Sequence, residues 1–150
     1  MDLIDTVRLV LKQKDQNVWY VSPEACVYDA IEMMADKYVG ALLVLSEGKL
    51  VGVVSERDYA RKVILEGKSS KQTQVKEIMT SPAIFVVPEQ TVEDCMRIMT
   101  DKHIRHLPVV EADGKILGVV SIGDLVKWMI SAQQQTISQL HNYITNRYPG

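Results

Sequence analysis

The chain has 150 residues, 47% of them apolar and 24% charged, with a formal net charge of −2; this is an ordinary globular make-up, enough for one compact domain or two small fused units. The balance excludes a global basic field of the kind that draws nucleic acid or an anionic membrane, so neither is expected as a partner. The longest apolar runs, such as 40–45, fall far short of a membrane span.

The opening stretch MDLIDTVRLVLKQK carries acids early and reads as an amphipathic helix rather than a signal peptide, which points to the cytoplasm. It is assigned, with its lead-in, to 1–17. A first unit is expected over 18–66. Its short β-rich run, 18–21, stops at Pro23. Val27, Ala30, Ile31, Met34 and Ala35 then recur at helical spacing, and Glu24 after Pro23 suits the positive end of that helix. Two apolar strands, 41–45 and 50–54, are joined by Ser-Glu-Gly-Lys, whose glycine marks a tight hairpin. Ser55 is a good N-cap for a closing helix. The connection 67–82 is polar, with a helical piece around 75–79.

The same order then returns over 83–131. With an offset of 65, rising to 66 after an insertion near Ala112, Pro23 falls on Pro88, Glu24 on Glu89, Asp29 on Asp94, Gly52 on Gly118 and Asp58 on Asp124. About 17 identities over about 44 aligned positions are too many for chance in so short a unit. The second copy expects a β run over 83–87, a helix carrying Val92, Cys95, Met96, Ile98 and Met99, strands at 107–110 and 116–120, and a helix opening at Ser121. A terminal helix over 132–150 sets Ile137, Leu140 and Ile144 among Gln, Asn and His; packing, on the module or on a partner, is its expected fate. The fold class is thus mixed α/β (α+β), a β-α-β-β-α unit used twice with helices at both ends.

Cysteine and histidine carry little chemistry. Cys26 and Cys95 stand alone and read as small buried hydrophobes. His103 and His106 have no Cys or carboxylate to complete a metal set. The methionines on the helix faces read as filler.

The informative motif is Gly-Val-Val-Ser-x-x-Asp, at 52–58 and again at 118–124. A strand running into a helix points free backbone N–H groups and a positive dipole end outward, which suits an anion. An Asp one turn into the helix offers two oxygens to vicinal hydroxyls, as acidic residues do for ribose in dinucleotide folds. The same Ser-x-x-Asp spacing also serves as a capping box that merely satisfies backbone donors, and duplication copies structural residues as faithfully as functional ones.

In combination these residues resemble the signature of the CBS domain, whose tandem pairs form Bateman modules. The resemblance covers about 18–131. It implies two pseudo-symmetric units packed as one non-catalytic module whose inter-repeat clefts bind AMP, ATP or related adenosine compounds, at times NAD(H), with no catalytic cofactor and no metal. Modules of this kind commonly form flat homodimers. By the same resemblance Asp58 and Asp124 bind ribose, and Ser55 and Ser121 touch ribose or phosphate. Arg105 and His106 match the phosphate-facing basic residues, where copy one has Gly40-Ala41 and no cation; Arg57, a further ribose- or phosphate-binding candidate, has Gly123 as its counterpart. The two sites are therefore expected to differ, the Arg105 site favouring charged phosphates. Thr80, with the backbone around Ile84 and Val86, matches the base-and-phosphate entry strand. Val18, Trp19 and Tyr20 match it in copy one, with Trp19 more in keeping with core or a dimer contact than with base stacking. Arg105 alternatively pairs with a surface acid, and His106 alternatively is a satisfied half-buried side chain.

The expected role is an adenine-nucleotide sensor whose output runs through an effector protein not known from the sequence. The rivals are an enzyme, for which no triad, metal set or GxxxxGK loop speaks, and an interaction module whose clefts stay empty.

Overall fold

The computed structural model describes residues 5–14 and 17–147. In chain order it holds α1 (Val7–Lys12), β1 (Tyr20–Val21), α2 (Val27–Lys37), β2 (Ala41–Ser46), β3 (Lys49–Ser55), α3 (Glu56–Tyr59), α4 (Val92–Lys102), β4 (His106–Val110), β5 (Ile116–Ser121) and α5 (Ile122–Arg147). The mixed α/β order expected from the repeat is the one adopted. Strands β1, β2 and β3 make one sheet, β1 parallel to β2 and β2 antiparallel to β3, while β4 and β5 make a second. The chain divides into two compact units, 17–85 with 110–118, and 1–16 with 86–109 and 119–150. Of the stretches expected to be helical, 1–4 and 148–150 lie outside the described residues, as do 15–16 of the lead-in.

In the unit built on 17–85, α2 buries Val27, Ala30 and Met34, one side of a 3.6-residue repeat, and ends on Tyr38 at φ 56°. These side chains join Leu42, Val44, Val54, Val63, Val75 and Ile78 in one apolar cluster, with Trp19 and Met79 against it. The β2–β3 hairpin closes through Glu47 and Gly48, both at positive φ (52° and 77°), as a two-residue turn matched to strand twist demands. Helix α3 runs on as a π-helical turn over Ala60–Ile64. The connection folds as a 3₁₀ turn, Val75–Glu77.

Gly52 lies where another segment crosses β3. The Val53 N–H donates to the Thr80 carbonyl (3.1 Å) and the Thr80 N–H returns the bond (2.9 Å). A Cβ at Gly52 would stand 2.7 Å from the Thr80 carbonyl oxygen and 2.9 Å from Met79 Sδ. Gly52→Ala is expected to cost about 2–3 kcal/mol of stability by forcing that crossing apart, read as a lower denaturant midpoint in urea unfolding.

The other unit shows that the repeat begins earlier than its sequence motif. Val75 and Lys76 N–H groups donate to the Ala25 and Pro23 carbonyls (2.8 and 2.9 Å); Val7 and Arg8 donate to the carbonyls of Gln90 and Pro88 (2.8 and 3.2 Å), the positions 65 residues on. Val27 N–H to Thr73 likewise matches Val92 N–H to Asp5, both 2.9 Å. Helix α1 thus stands to the second copy as the connecting turn stands to the first. Lead-in and connection are one element of the duplication. Val7, Val10 and Leu11 are buried, as are Val75 and Ile78.

Three expectations are corrected. Glu24 and Glu89 do not lie in a helical first turn, because α2 starts after Cys26 and α4 after Thr91; Asp29 and Asp94 occupy the dipole position instead. The β run at 83–87 is reduced to one parallel bridge, Val86 with Val109. The terminal helix is not separate and does not pack within the chain: α5 runs unbroken from Ile122, and Ile137 (65%), Leu140 (58%) and Ile144 (57%) are exposed.

Candidate functional site

At each strand-to-helix corner the motif builds a reciprocal cap. Ser55 N–H donates to Asp58 Oδ2 (2.9 Å), Ser55 Oγ donates to the same oxygen (3.0 Å), and Asp58 N–H donates back to Ser55 Oγ (3.2 Å). In the second copy Ser121 N–H donates to Asp124 Oδ2 (2.8 Å) and Asp124 N–H to Ser121 Oγ (3.1 Å). The capping box and the site motif are therefore the same atoms. Oδ2 of each Asp has both lone pairs engaged, so a bidentate grip on a sugar diol needs rearrangement. One oxygen, Oδ1, is what each corner offers.

Each carboxylate also has a lysine that the sequence reading did not assign to the site. Lys62 Nζ lies 3.4 Å from Asp58 Oδ1 and donates to the Ile78 carbonyl (2.9 Å). Lys14 Nζ donates to Asp124 Oδ2 (2.7 Å) and to the Val119 carbonyl (2.8 Å). Lys62 is legible as an i,i+4 pair on one helix. Lys14 is not, since 110 residues separate it from Asp124.

The second corner adds Arg105 and His106. Arg105 reaches it through its carbonyl, which accepts from Ile122 N–H (2.9 Å), and its side chain is exposed with no ion pair among the described residues. His106 is partly buried, and burial pushes its pKa below 6.5; Lys14 and Arg105 push the same way and Asp124 opposes them. The ring is thus neutral at pH 7 and offers one donor and one acceptor. Burial works to raise the Asp124 pKa, but the hydrogen bonds from Lys14 and Ser121 and the Lys14 charge outweigh it, and the carboxyl titrates below 3.8. Beside it is a cavity of about 390 Å³ lined by Val10, Gln13, Lys14, Asp124, Lys127, Trp128 and Ser131, within the size range of small-ligand sites. Trp128 Nε1 donates to Asp5 Oδ2 (2.9 Å), which pins one wall.

The remaining sequence candidates lie as follows. Thr80 is bonded to Val53 at the crossing over β3, two residues before Ser55. Arg57 is exposed on α3. Trp19 packs against the apolar cluster, with Lys37 Nζ 4.3 Å from the ring centroid and its carbonyl accepting from Leu43 N–H. Val18 is half-buried and Tyr20 is 56% exposed. Ile84 is half-buried, while Val86 is fully buried with its N–H on the Pro108 carbonyl (3.0 Å). The structure thus brings Arg105, His106, Ser121 and Asp124 together with Lys14, and Ser55 and Asp58 with Lys62.

Cys95 is buried, and burial together with Asp94 raises its thiol to about 11, which leaves it unreactive. Cys26 is only half-buried and donates to the Ser70 carbonyl. Among the described residues no group of three or more His, Cys, Asp or Glu is placed to hold a metal, and no helix is long and apolar enough to cross a membrane.

A duplicated α/β unit with a capped, lysine-paired carboxylate at each strand-to-helix corner defines a tandem-repeat module. The chain belongs to the CBS domain family, whose profile matches residues 14–65 and 75–131. It is 40% identical over 152 residues to the Arabidopsis thaliana CBS domain-containing protein CBSX3, mitochondrial, covering 95% of this chain and 73% of the relative. Its fold is similar to that of a signal-transduction protein with CBS domains from Burkholderia ambifaria, at TM-score 0.82 and 48% identity, covering 85% of this chain and 96% of that one. It is also similar, at TM-score 0.76 and 22% identity over 86% of this chain and 98% of the other, to the CBS domain pair of protein MJ0100, solved with 5′-methylthioadenosine and S-adenosyl-L-methionine.

Proposed function

We propose that the protein is a non-catalytic regulatory module that binds an adenine nucleotide at its strand-to-helix corners and passes the bound state to an effector protein. AMP and ATP are the leading ligands, with NAD(H) next. The carrying observation is the cationic corner at Asp124. A carboxylate able to meet a ribose hydroxyl lies beside Lys14, with His106 and Arg105 close by and Lys127 on the wall of the same cavity. That charge set favours a ligand with a sugar at one end and phosphate at the other. The adenosine compounds bound by the MJ0100 pair support the nucleoside half of this reading. A homodimer and a cytoplasmic location are part of the same proposal.

One observation favours a ligand-free interaction module instead. Thr91 and Asp94 form the same reciprocal box at the start of α4, where no ligand role is assigned. Asp94 too has a basic partner, Arg97 at 3.7 Å; what separates the corners from that box is lower exposure, the side chains of Asp58 and Asp124 being 16% and 21% exposed and that of Asp94 37%, with closer lysines at 3.4 and 2.7 Å.

Isothermal titration of AMP, ATP and NADH into the full chain is the direct test. At least one is expected to bind with a micromolar Kd, about 8 kcal/mol. No heat and no thermal shift with any of the three would remove the proposal.

A further inference from the structure

The last third of the chain holds a face that neither the fold nor the nucleotide reading uses. Helix α5 spans 26 residues, about 39 Å at 1.5 Å per residue. Leu125 at its start is fully buried, but every residue from 133 to 144 is exposed. A free-standing stretch of this length, carrying three glutamines in succession, is marginal as a helix in water without packing on one face. Its apolar residues are not scattered. Ile130, Ile137 and Ile144 recur every seven residues, and Val126 and Leu140 fall on the matching positions four residues before a member of that series. This is a heptad seam with Ile at a and Leu or Val at d, broken once by Gln133. All five apolar side chains are exposed, from 39% at Val126 to 65% at Ile137.

We infer that this seam is the contact with a second copy of the chain, formed as a parallel, in-register, two-stranded coiled coil. Three features select that occupant. β-Branched residues at all three a positions, Ile130, Ile137 and Ile144, with Leu140 at the last d position, favour two parallel strands over three or four. From Ser131 to Asn142 the helix carries no Asp, Glu, Lys or Arg, so a copy of itself meets no repulsion, and no charged partner finds a complement. The five seam side chains leave roughly 500 Å² open on each chain, so a pair buries on the order of 1,000 Å², the threshold of a specific interface. The inference is independent of nucleotide binding.

The test is cross-linking of the full chain. Ile144→Cys, at an a position, is expected to form an intermolecular disulfide within minutes of mild oxidation, because in-register parallel helices bring identical a residues together. The wild type, with Cys26 and Cys95 alone, controls for other disulfides. Adding Ile137→Asp to Ile144→Cys is expected to slow cross-linking on the order of 100-fold or more, since two unpaired carboxylates must otherwise be buried in the seam. Far-UV circular dichroism and the thermal midpoint check that the module stays folded. Failure of Ile144→Cys to cross-link beyond the wild type overturns the inference. So does cross-linking that Ile137→Asp leaves unchanged, or a mass in solution that shows the wild type to be a monomer.

Discussion

Replacing both corner carboxylates, Asp58→Asn with Asp124→Asn, is expected to weaken adenine-nucleotide binding on the order of 100-fold while the chain stays folded. An Asn at this position keeps an oxygen that can accept from Ser55 N–H or Ser121 N–H, so the cap survives in shape. What is lost is charge: the attraction to the helix N-terminus, worth about 0.3–1 kcal/mol per helix, and the partly exposed lysine pairs, worth about 0–1 kcal/mol each. A hydrogen bond from a ribose hydroxyl to an ionised acceptor contributes about 1.5–3 kcal/mol, or roughly 10- to 150-fold in affinity per site. The two effects separate cleanly. Asp94→Asn is the internal control: it makes the same change to the same box in α4, and should lower the urea midpoint comparably without touching the titration isotherm. If the double variant binds as the wild type does, the corners are caps and nothing more.

The parts of this protein that were legible in its sequence are those set by short-range pattern. The α2 and α4 spans follow from apolar spacing, and the β2–β3 turn from the glycine of its Ser-Glu-Gly-Lys joint. Ser55 and Ser121 were legible as caps because a hydroxyl where a strand ends can accept from the first free N–H groups of the helix that follows. The run at 83–87 was overcalled, because β-branched residues near a proline look like strand while only Val86 finds a partner. The equivalence of α1 with the connecting turn was missed for a physical reason. What is repeated there is a set of backbone hydrogen bonds to the copy that follows, and backbone bonds impose little on side-chain identity beyond Val7 and Val10 matching Val75 and Ile78. Lys14 was missed with it, since its value to Asp124 exists only once α1 has docked. The terminal helix was read by composition as something to be packed away; its heptad spacing becomes informative only when the same residues are found exposed.

Lys14→Ala is expected to move two ligands in opposite directions, loosening ATP by about 10- to 100-fold and tightening uncharged adenosine by a few-fold. Lys14 Nζ holds Asp124 Oδ2 at 2.7 Å and the Val119 carbonyl at 2.8 Å. A sugar hydroxyl must share that carboxylate with an ammonium already bonded to it, whereas a phosphate gains a cation in place. Removing the ammonium leaves Asp124 with Ser121 as its remaining hydrogen-bond donor and makes it a stronger acceptor for the sugar. It also withdraws one positive charge from the phosphate end, worth about 2 kcal/mol for the nearest single phosphate charge at about 8 Å and an effective dielectric near 20, the remaining phosphate charges being farther off and screened. The ATP affinity of the variant should fall less steeply with added salt than that of the wild type, because there is less charge to screen. The stability consequence has a definite sign. A carboxyl whose folded pKa is depressed stabilises the fold above its unfolded value, and loses that contribution as pH falls through the folded one. The wild-type advantage over Lys14→Ala in thermal midpoint should therefore hold at neutral pH and fade in acid, below the ordinary carboxylate range from which Asp124 has been lowered. Misfolding would weaken both ligands together. Only a lysine that pairs with the sugar's acceptor while serving the phosphate splits adenosine from ATP.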